Sequence, residues 1–273
     1  MNKLIHRLCP ACKRDNRHRE NSKYSRDPWR IKQCFDCGFV FLENTPAYEA
    51  LVSEFAWEST SHAEKMERRR REPVKQFLSD CSKHLRRRLL KRDKLRRLIG
   101  RHIPPGNVLE VGCAAGAILS ALPAHHVPYG VEISEYLAKK GNRALARRGG
   151  HILHADALSG VGRFEADFFT GIIMSAFLEH EADPGGLLRA CLRVLEPGGR
   201  IIIKVPNYGC VNRWLRGPRW CGFRYPDHVN YFTPASLRRL CEDAGYAVHQ
   251  FTYVDRHPLS DNMWMVIRKA APA

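Results

Sequence analysis

The sequence predicts an α/β protein built on a mostly parallel sheet with helices on both faces. From residue 107 onward, short apolar strands alternate with helical segments, which is the pattern of a parallel sheet covered on two sides. The segment 200–205, Arg-Ile-Ile-Ile-Lys-Val, is rich in β-branched residues, as buried strands are. A turn of small residues at 112–116 joins the first strand to the first helix of this region.

The elements follow from local signals taken in order. Turn residues separate the apolar runs, and Pro or a polar cap marks where helices begin. The predicted strands are 107–112, 128–133, 151–154, 167–175, 200–205, 247–254 and 262–269. The predicted helices are 117–122, 135–148, a helix from Asp183-Pro184 to about 196–199, and 233–245.

Two cysteine pairs precede this region and divide the chain further. Cys9 and Cys12 form the first pair, and Cys34 and Cys37 the second. Two Cys-x-x-Cys pairs supply four thiolates to one tetrahedral ion, which predicts a structural zinc site. The predicted domains are a zinc-ribbon-like domain at 1–50, a basic helical segment at 51–103 and a larger domain at 104–273.

The charge is strongly basic and uneven. The chain carries 45 Lys and Arg against 28 Asp and Glu, a formal net charge of +17. The run 65–97 holds 15 basic and 4 acidic residues, a net charge of +11. Such a run attracts RNA or an anionic membrane surface, and it is equally typical of a solvated helix face.

Acidic residues follow the strands at the places where a nucleoside would bind. Glu132 ends the second strand, twenty residues after Gly112, and a carboxylate there can accept hydrogen bonds from both ribose hydroxyls. Asp156 follows the third strand and is placed to meet an adenine amino group. The alternative for Asp156 is a helix N-cap.

Several stretches together resemble class I S-adenosylmethionine-dependent methyltransferases, in the small-molecule branch near the ubiquinone-type enzymes. The resemblance covers about 104–255 in the family's order, and the turn Gly-Cys-Ala-Ala-Gly departs from it at Ala114, where many members have glycine. The matching stretches are Val108 to Gly116, Tyr129 to Ser134, His154 to Ala157, Phe177 to His180, Leu195 to Arg200, Val205 to Asn207, Arg219 to His228, Phe232 to Pro234 and Ala244 to Tyr246.

The resemblance implies a Rossmann-like class I methyltransferase sheet that binds S-adenosylmethionine. Glu110 would organise the turn beside the methionine part, Glu132 would hold the ribose, and Asp156 would meet the adenine. The cofactor-binding residues that the resemblance implies are Glu110, Gly112, Ala114, Gly116, Glu132, Ile133, Asp156, Ala157 and Ser175.

Two histidines are candidates for acid–base work. An oxygen acceptor of high pKa must lose its proton as the methyl arrives, and imidazole titrates near neutral pH. His180 follows the fourth strand, and His228 lies in a long insertion, 206–232, rich in aromatic residues and arginine. Some ubiquinone-type enzymes carry a Glu-x-x-Glu-His motif for a divalent cation. This chain resembles them at Glu179 and His180, but Ala176 stands at the first carboxylate position, so we expect no catalytic metal.

The function expected is methyl transfer to a small molecule or a glycan intermediate, at oxygen. The alternatives are a ribosomal RNA methyltransferase that binds RNA through the zinc ribbon and basic helix, and a non-catalytic binding module. No apolar run reaches the length of about 18 residues needed for a membrane-spanning helix, and no secretory signal is evident, so we expect a cytoplasmic protein. Peripheral contact with an anionic membrane is a further possibility for the basic run.

Overall fold

The central feature is a seven-stranded sheet with one antiparallel strand. The structure, a computed structural model, describes residues 4–46 and 94–271. The strand order in the sheet is β11-β12-β9-β8-β5-β6-β7, in which only β12 runs against its neighbours. Its strands are β5 (Gly106–Val111), β6 (His126–Glu132), β7 (Ile152–His154), β8 (Phe169–Ser175), β9 (Leu195–Pro206), β11 (Tyr246–Gln250) and β12 (Asn262–Lys269).

Helices cover both faces of this sheet, as the sequence predicts. On one face α1, α2 and α3 pack through Leu98, Leu119 and Leu145 against the buried strand residue Ile173. On the other face α4, α5 and α7 pack in a second core that includes Leu187. The helices are α1 (Lys94–His102), α2 (Ala117–Ser120), α3 (Glu135–Leu145), α4 (Ala157–Gly162), α5 (Pro184–Val194), α6 (Val211–Arg216) and α7 (Pro234–Asp243), and 3-10 turns lie at Gly217–Arg219 and Tyr253–Arg256.

The structure confirms the Rossmann-like sheet and differs from several of the predicted elements. The helix that begins at Pro184 ends at Val194, because the chain from Leu195 already pairs with β8. Helix α4 and helix α6 were not predicted, since each is only six residues long and lies in a loop-like sequence. The strand expected at 247–254 stops at Gln250 and continues into a 3-10 turn.

The N-terminal segment is joined to the larger domain by a second, three-stranded sheet. Its order is β10-β3-β2, with β2 at Ile31–Gln33, β3 at Val40–Leu42 and β10 at Asn230–Tyr231. Strand β10 belongs to the insertion 206–232, and it pairs with β3 antiparallel. A separate two-stranded sheet pairs β1 (Leu4–His6) with β4 (Asn44–Pro46); β1 precedes β2 in the chain and β4 follows β3.

Aromatic residues of the insertion pack against one another and against the N-terminal segment. Tyr24 stacks on Phe223 at a ring distance of 4.9 Å, and Trp220 lies 5.2 Å from Phe223. Ile31 and Leu42 of the N-terminal segment are buried in the same cluster. The insertion therefore owes part of its apolar core to residues nearly 200 positions earlier in the chain.

Part of the predicted basic helical segment lies outside the described residues. Helix α1 accounts for its last residues, and most of the run 65–97 falls in the part that is not described. Within 4–46 and 94–271, no helix is both long and apolar enough to cross a membrane.

Candidate active site

Four parallel strands end at one edge of the sheet and bring the predicted site residues together. Strands β7, β6, β5 and β8 are neighbours in that order, so their carboxyl ends form one continuous rim. Strand β6 lies on one side of β5 and β8 on the other, so the strand order reverses at β5, which is where ligands bind in open α/β sheets. Glu132 ends β6 and Ser175 ends β8 at this rim.

The small-residue turn after β5 needs glycine for two different reasons. Gly112 and Gly116 have left-handed φ angles of 69° and 71°. A Cβ on Gly112 would also lie 2.1 Å from a ring carbon of Phe177. The turn therefore lets the backbone pass close under the crevice, where a side chain would clash.

Ala114, which lies between these two glycines, also adopts a left-handed backbone conformation. Its φ is 47°, a region that costs a non-glycine residue about 1–2 kcal/mol. This strain gives a physical reason for the glycine that the resembling family has there. Alanine is tolerated because the Glu132 carboxylate holds the Ala114 N–H at 2.8 Å.

The Glu132 carboxylate ties two loops together at the rim. Its Oε2 accepts the Ala114 N–H at 2.8 Å, and its Oε1 accepts the Ser134 N–H at 2.9 Å. Each oxygen keeps a second lone pair for a further donor. The side chain is 8% exposed, so these charge-assisted bonds are shielded from water.

Glu110 lies beneath the turn with an incomplete set of partners. It is 4% exposed, and within the described residues its Oε2 has no hydrogen-bond partner. Burial, reinforced by the charge of Glu132, raises the pKa of Glu110 well above its usual value. A buried acceptor without a partner is where a cationic or N–H group of a ligand would gain most.

Asp156 caps helix α4 from the end of β7. Its Oδ1 accepts the Ser159 N–H at 2.9 Å, and its Oδ2 accepts the Ser159 hydroxyl. The capping role that the sequence left open is thus present, and the contact with adenine stays a prediction. Ala157 is buried in the first turn of this helix, while Ile133 and Ser175 are partly exposed at the rim.

The residues expected for S-adenosylmethionine fit such a ligand. They combine a glycine turn that a Cβ would fill, a carboxylate at the end of β6 and an unpartnered buried acceptor in Glu110. All come from the rim of β5, β6, β7 and β8.

The two candidate histidines lie side by side, although they are 48 positions apart. Their ring centroids are 4.7 Å apart and the rings are nearly perpendicular, at 85°. His180 Nδ1 lies 2.9 Å from the Asp227 carbonyl oxygen, and His228 Nδ1 lies 2.8 Å from that of Gly222. Because a carbonyl only accepts, each Nδ1 carries the proton and each Nε2 is the basic nitrogen.

Burial sets the protonation state around this pair. It lowers the pKa of His180 to about 4, and the nearby Arg224 charge acts in the same direction. Burial likewise raises the pKa of Glu179 to about 8. At neutral pH His180 is therefore a neutral base and Glu179 is largely protonated.

Glu179 joins the histidines in a group that has the right chemistry for a divalent cation. The candidate ligand atoms of Glu179, His180 and His228 lie within 4.8 Å of one another. Sequence reasoning considered only the first two, because His228 is distant in the chain. Ala176 has no ligand atom and is exposed, so it contributes nothing to this group.

The four predicted zinc ligands also come together. Cys9 Sγ lies 3.5 Å from Cys37 Sγ, and Cys12 Sγ lies 3.4 Å from Cys34 Sγ. These distances are too long for disulfides, whose sulfurs are about 2.05 Å apart. All four sulfurs lie within 4.8 Å of one another, which fits thiolates at about 2.3 Å from one zinc ion.

Asn230 is a residue of the site that sequence reasoning missed. Its side-chain amide donates to the carbonyl oxygens of Leu178 and Glu181, at 3.0 and 2.7 Å. It thereby links the loop carrying His180 to the strand that follows His228. No motif marks it, since an asparagine at a strand start is common in turns.

Comparisons with known proteins agree with this geometry. Residues 82–250 match a family described as methyltransferase domain. Ubiquinone biosynthesis O-methyltransferase from Thiobacillus denitrificans is 26% identical over 164 residues, which cover 56% of this chain and 69% of that protein.

Two solved structures share the fold. An S-adenosylmethionine-dependent methyltransferase from Mesorhizobium loti has a TM-score of 0.51 at 15% identity, covering 63% of this chain and 96% of its own. One from Clostridium acetobutylicum has a TM-score of 0.52 at 11% identity, covering 71% and 100%.

Proposed function

The chain belongs to the methyltransferase domain family and is an S-adenosylmethionine-dependent methyltransferase, and from this premise we propose that it methylates an oxygen of a small molecule or glycan intermediate. The observation that carries the proposal is the contact between His180 and His228, with His180 in the loop that follows the rim strand β8. A neutral imidazole there can accept the proton of a hydroxyl. The relative named as an O-methyltransferase supports the same chemistry.

The protein's tasks in this reaction are alignment, desolvation and proton removal. When bound, S-adenosylmethionine supplies a methyl group on a sulfonium, which is transferred by in-line displacement. Glu132 and the turn at Ala114 would fix the nucleoside, and Glu110 would lie near the methionine part. His180 Nε2 or His228 Nε2 would take the acceptor's proton as the O–CH₃ bond forms.

Zinc belongs to this proposal as a structural ion held by Cys9, Cys12, Cys34 and Cys37. Four thiolates leave no open position for a substrate, so the ion's role would be to fold the N-terminal segment. Two backbone turns support it: Lys13 N–H donates to Cys9 O, and Gly38 N–H donates to Cys34 O. Lys13 and Gly38 both adopt left-handed φ, so the two cysteine pairs form matching knuckles.

RNA remains the alternative acceptor. The N-terminal segment carries exposed arginines such as Arg14 and Arg17, although each forms an ion pair with an aspartate, Asp36 and Asp15 respectively. Its apolar side, however, is occupied by the insertion through the Tyr24 and Phe223 contact. That packing supports a role for the segment in building the active-site cover. Membership of the methyltransferase domain family argues against the third hypothesis, a non-catalytic binding module.

Labelled methyl transfer separates the two acceptors. Protein would be incubated with methyl-labelled cofactor and, in separate reactions, with a small-molecule extract or with total RNA. We expect label in the small-molecule fraction, lost in His180→Gln or His228→Gln. Label in RNase-sensitive material would refute the proposal.

A charge variant sharpens the same test. Arg68, Arg69, Arg70 and Arg71, which lie outside the described residues, would be replaced together by Gln. RNA methylation would then fail and lose its salt dependence, because each phosphate contact releases counterions. Transfer to a soluble small acceptor should persist, whereas a membrane-embedded acceptor would be methylated less on anionic vesicles.

A further inference from the structure

A buried arginine of the N-terminal segment lies where the two histidine-bearing segments meet. Arg7 directly follows β1 and is 9% exposed. Its guanidinium is charged at neutral pH, as arginine side chains in proteins are. A buried charge persists only when its donors are satisfied, so its partners show what it is for.

The Arg7 guanidinium donates to three separate parts of the chain. Nη1 donates to Leu42 O at 3.1 Å and Val229 O at 3.0 Å. Nη2 donates to Ala182 O at 2.9 Å and to Asn230 Oδ1 at 3.1 Å. One planar group thus joins β3, the loop after β8 and the chain entering β10.

These partners belong to the segments that carry the histidines. The loop 178–182 contains His180, and Val229 directly follows His228. The N–H groups of Val229 and Asn230 both donate to Glu179 O, at 2.9 and 3.0 Å. Asn230, whose side chain holds Leu178 and Glu181, is itself oriented by Arg7.

We propose that Arg7 is a positioning residue that sets the distance and orientation between His180 and His228, an inference that rests on the proposed acceptor-side role of these histidines. It acts through backbone carbonyl groups and the side chain of Asn230. It fixes the backbone on both sides of the pair, and it does so from the N-terminal segment. The cysteine-bearing segment would therefore shape the acceptor side of the active site indirectly, through Arg7, and would not place a side chain against the acceptor.

The geometry explains why an arginine is needed. Four acceptors lie around one group, and a guanidinium offers five N–H donors in a fixed plane. A lysine keeps the charge but has three donors on one nitrogen, so it cannot reach all four acceptors. A methionine fills similar space and leaves all four without this donor.

The test reads the histidine pair directly and needs no acceptor. The wild-type protein, Arg7→Lys, Arg7→Met and Asn230→Ala would be labelled at histidine and studied by NMR with S-adenosylhomocysteine bound. The wild type should show a cross peak between the two rings, as expected at 4.7 Å, and ring nitrogen shifts of two Nδ1–H tautomers. We expect the cross peak to be lost in Arg7→Met and partly retained in Arg7→Lys.

Lys13→Met is the matched control. Lys13 also links the N-terminal segment to the larger domain, through an ion pair with Asp183 at 3.0 Å, but both side chains are largely exposed. Exposed pairs contribute little, so its spectrum should match the wild type. The affinity for S-adenosylhomocysteine should stay within about twofold of wild type in all variants. A variant that loses this affinity would be unfolded in part, and its histidine spectrum would not report repositioning.

Two results would overturn the proposal. One is an unchanged ring cross peak and unchanged tautomer shifts in both Arg7→Lys and Asn230→Ala. These two variants keep the test decisive even if Arg7→Met does not fold. The other is an equal change in Lys13→Met. Neither depends on which acceptor is methylated, so the failure of the proposed function would be seen separately, in the labelling experiment. Where turnover is measured, misplacement of about 1 Å should lower it by up to about a hundredfold in Arg7→Met, with partial rescue by Arg7→Lys.

Discussion

Replacing Glu132 by alanine should weaken cofactor binding and loosen the turn at the rim. In the unliganded protein its carboxylate already accepts the N–H groups of Ala114 and Ser134, at 2.8 and 2.9 Å. Those two bonds are made before and after binding, so their loss appears mainly as lower stability. At about 1.5–3 kcal/mol for a hydrogen bond to a charged group, the free energy of unfolding should fall by about 2 kcal/mol or more.

The loss of affinity comes from the ribose. If at least one ribose hydroxyl donates to Glu132, the same range corresponds to a loss of about 10- to 150-fold in affinity for S-adenosylhomocysteine. Calorimetric titration measures it, and thermal unfolding measures the stability separately. Glu135→Gln is the matched control, because Glu135 is three residues away and pairs only with the exposed Lys139 in the described part. A variant that is less stable but binds within about twofold of wild type would show that Glu132 braces the turn and does not hold the ribose.

Three further results are expected. Protein purified without added metal should contain one zinc ion per chain by metal analysis, and Cys34→Ser should lose it; well-folded protein free of zinc would contradict the ribbon. Ala114→Gly should raise the free energy of unfolding by up to about 1 kcal/mol, because relief of about 1–2 kcal/mol of strain outweighs the entropy that glycine adds to the unfolded chain; a clear decrease would argue against that strain. The unfolded state binds a proton at His180 near pH 6.5 and the folded state only near pH 4, so the contribution of His180 to the free energy of unfolding should fall by up to about 3 kcal/mol between these values as pH is lowered, whereas Glu179, whose pKa is raised to about 8, contributes in the opposite direction. Denaturant titrations should therefore show His180→Gln gaining up to about 3 kcal/mol of stability relative to wild type as the pH falls from about 6.5 to about 4, and a stability difference that does not change with pH would remove His180 as its source.

Local patterns were sufficient to predict most strands and helices of the seven-stranded sheet region. The strand Asn262–Lys269 was predicted with its bounds, since a continuous apolar run from Met263 to Ile267 and a preceding turn define it without tertiary help. The turn between Gly112 and Gly116 was predicted because a left-handed backbone conformation favours glycine, which the sequence shows. The short helix α4 was missed because its six residues derive their stability from packing on α5, which no local periodicity records.

The arrangement of the two histidines depends on contacts between distant positions, and these were harder to predict. His180 and His228 were named separately, but nothing in the sequence places their rings together. The pairing of β3 with the two-residue strand β10 likewise has no local signal, because two residues are too few to show a period. Arg7 is one of many arginines in a basic chain, and its burial becomes visible only in the structure.

The shared aromatic cluster has a consequence for synthesis of the chain. Tyr24 is made about 200 residues before Phe223, its stacking partner. At about 5–20 residues per second, the N-terminal segment waits roughly 10–40 s on the ribosome before the insertion emerges. During that interval its apolar side, including Ile31 and Leu42, has no cover from the insertion. Metal capture at the cysteines would let the segment hold its own shape while it waits, so shortage of metal during translation should lower the yield of folded protein more than the same shortage imposed on the finished chain.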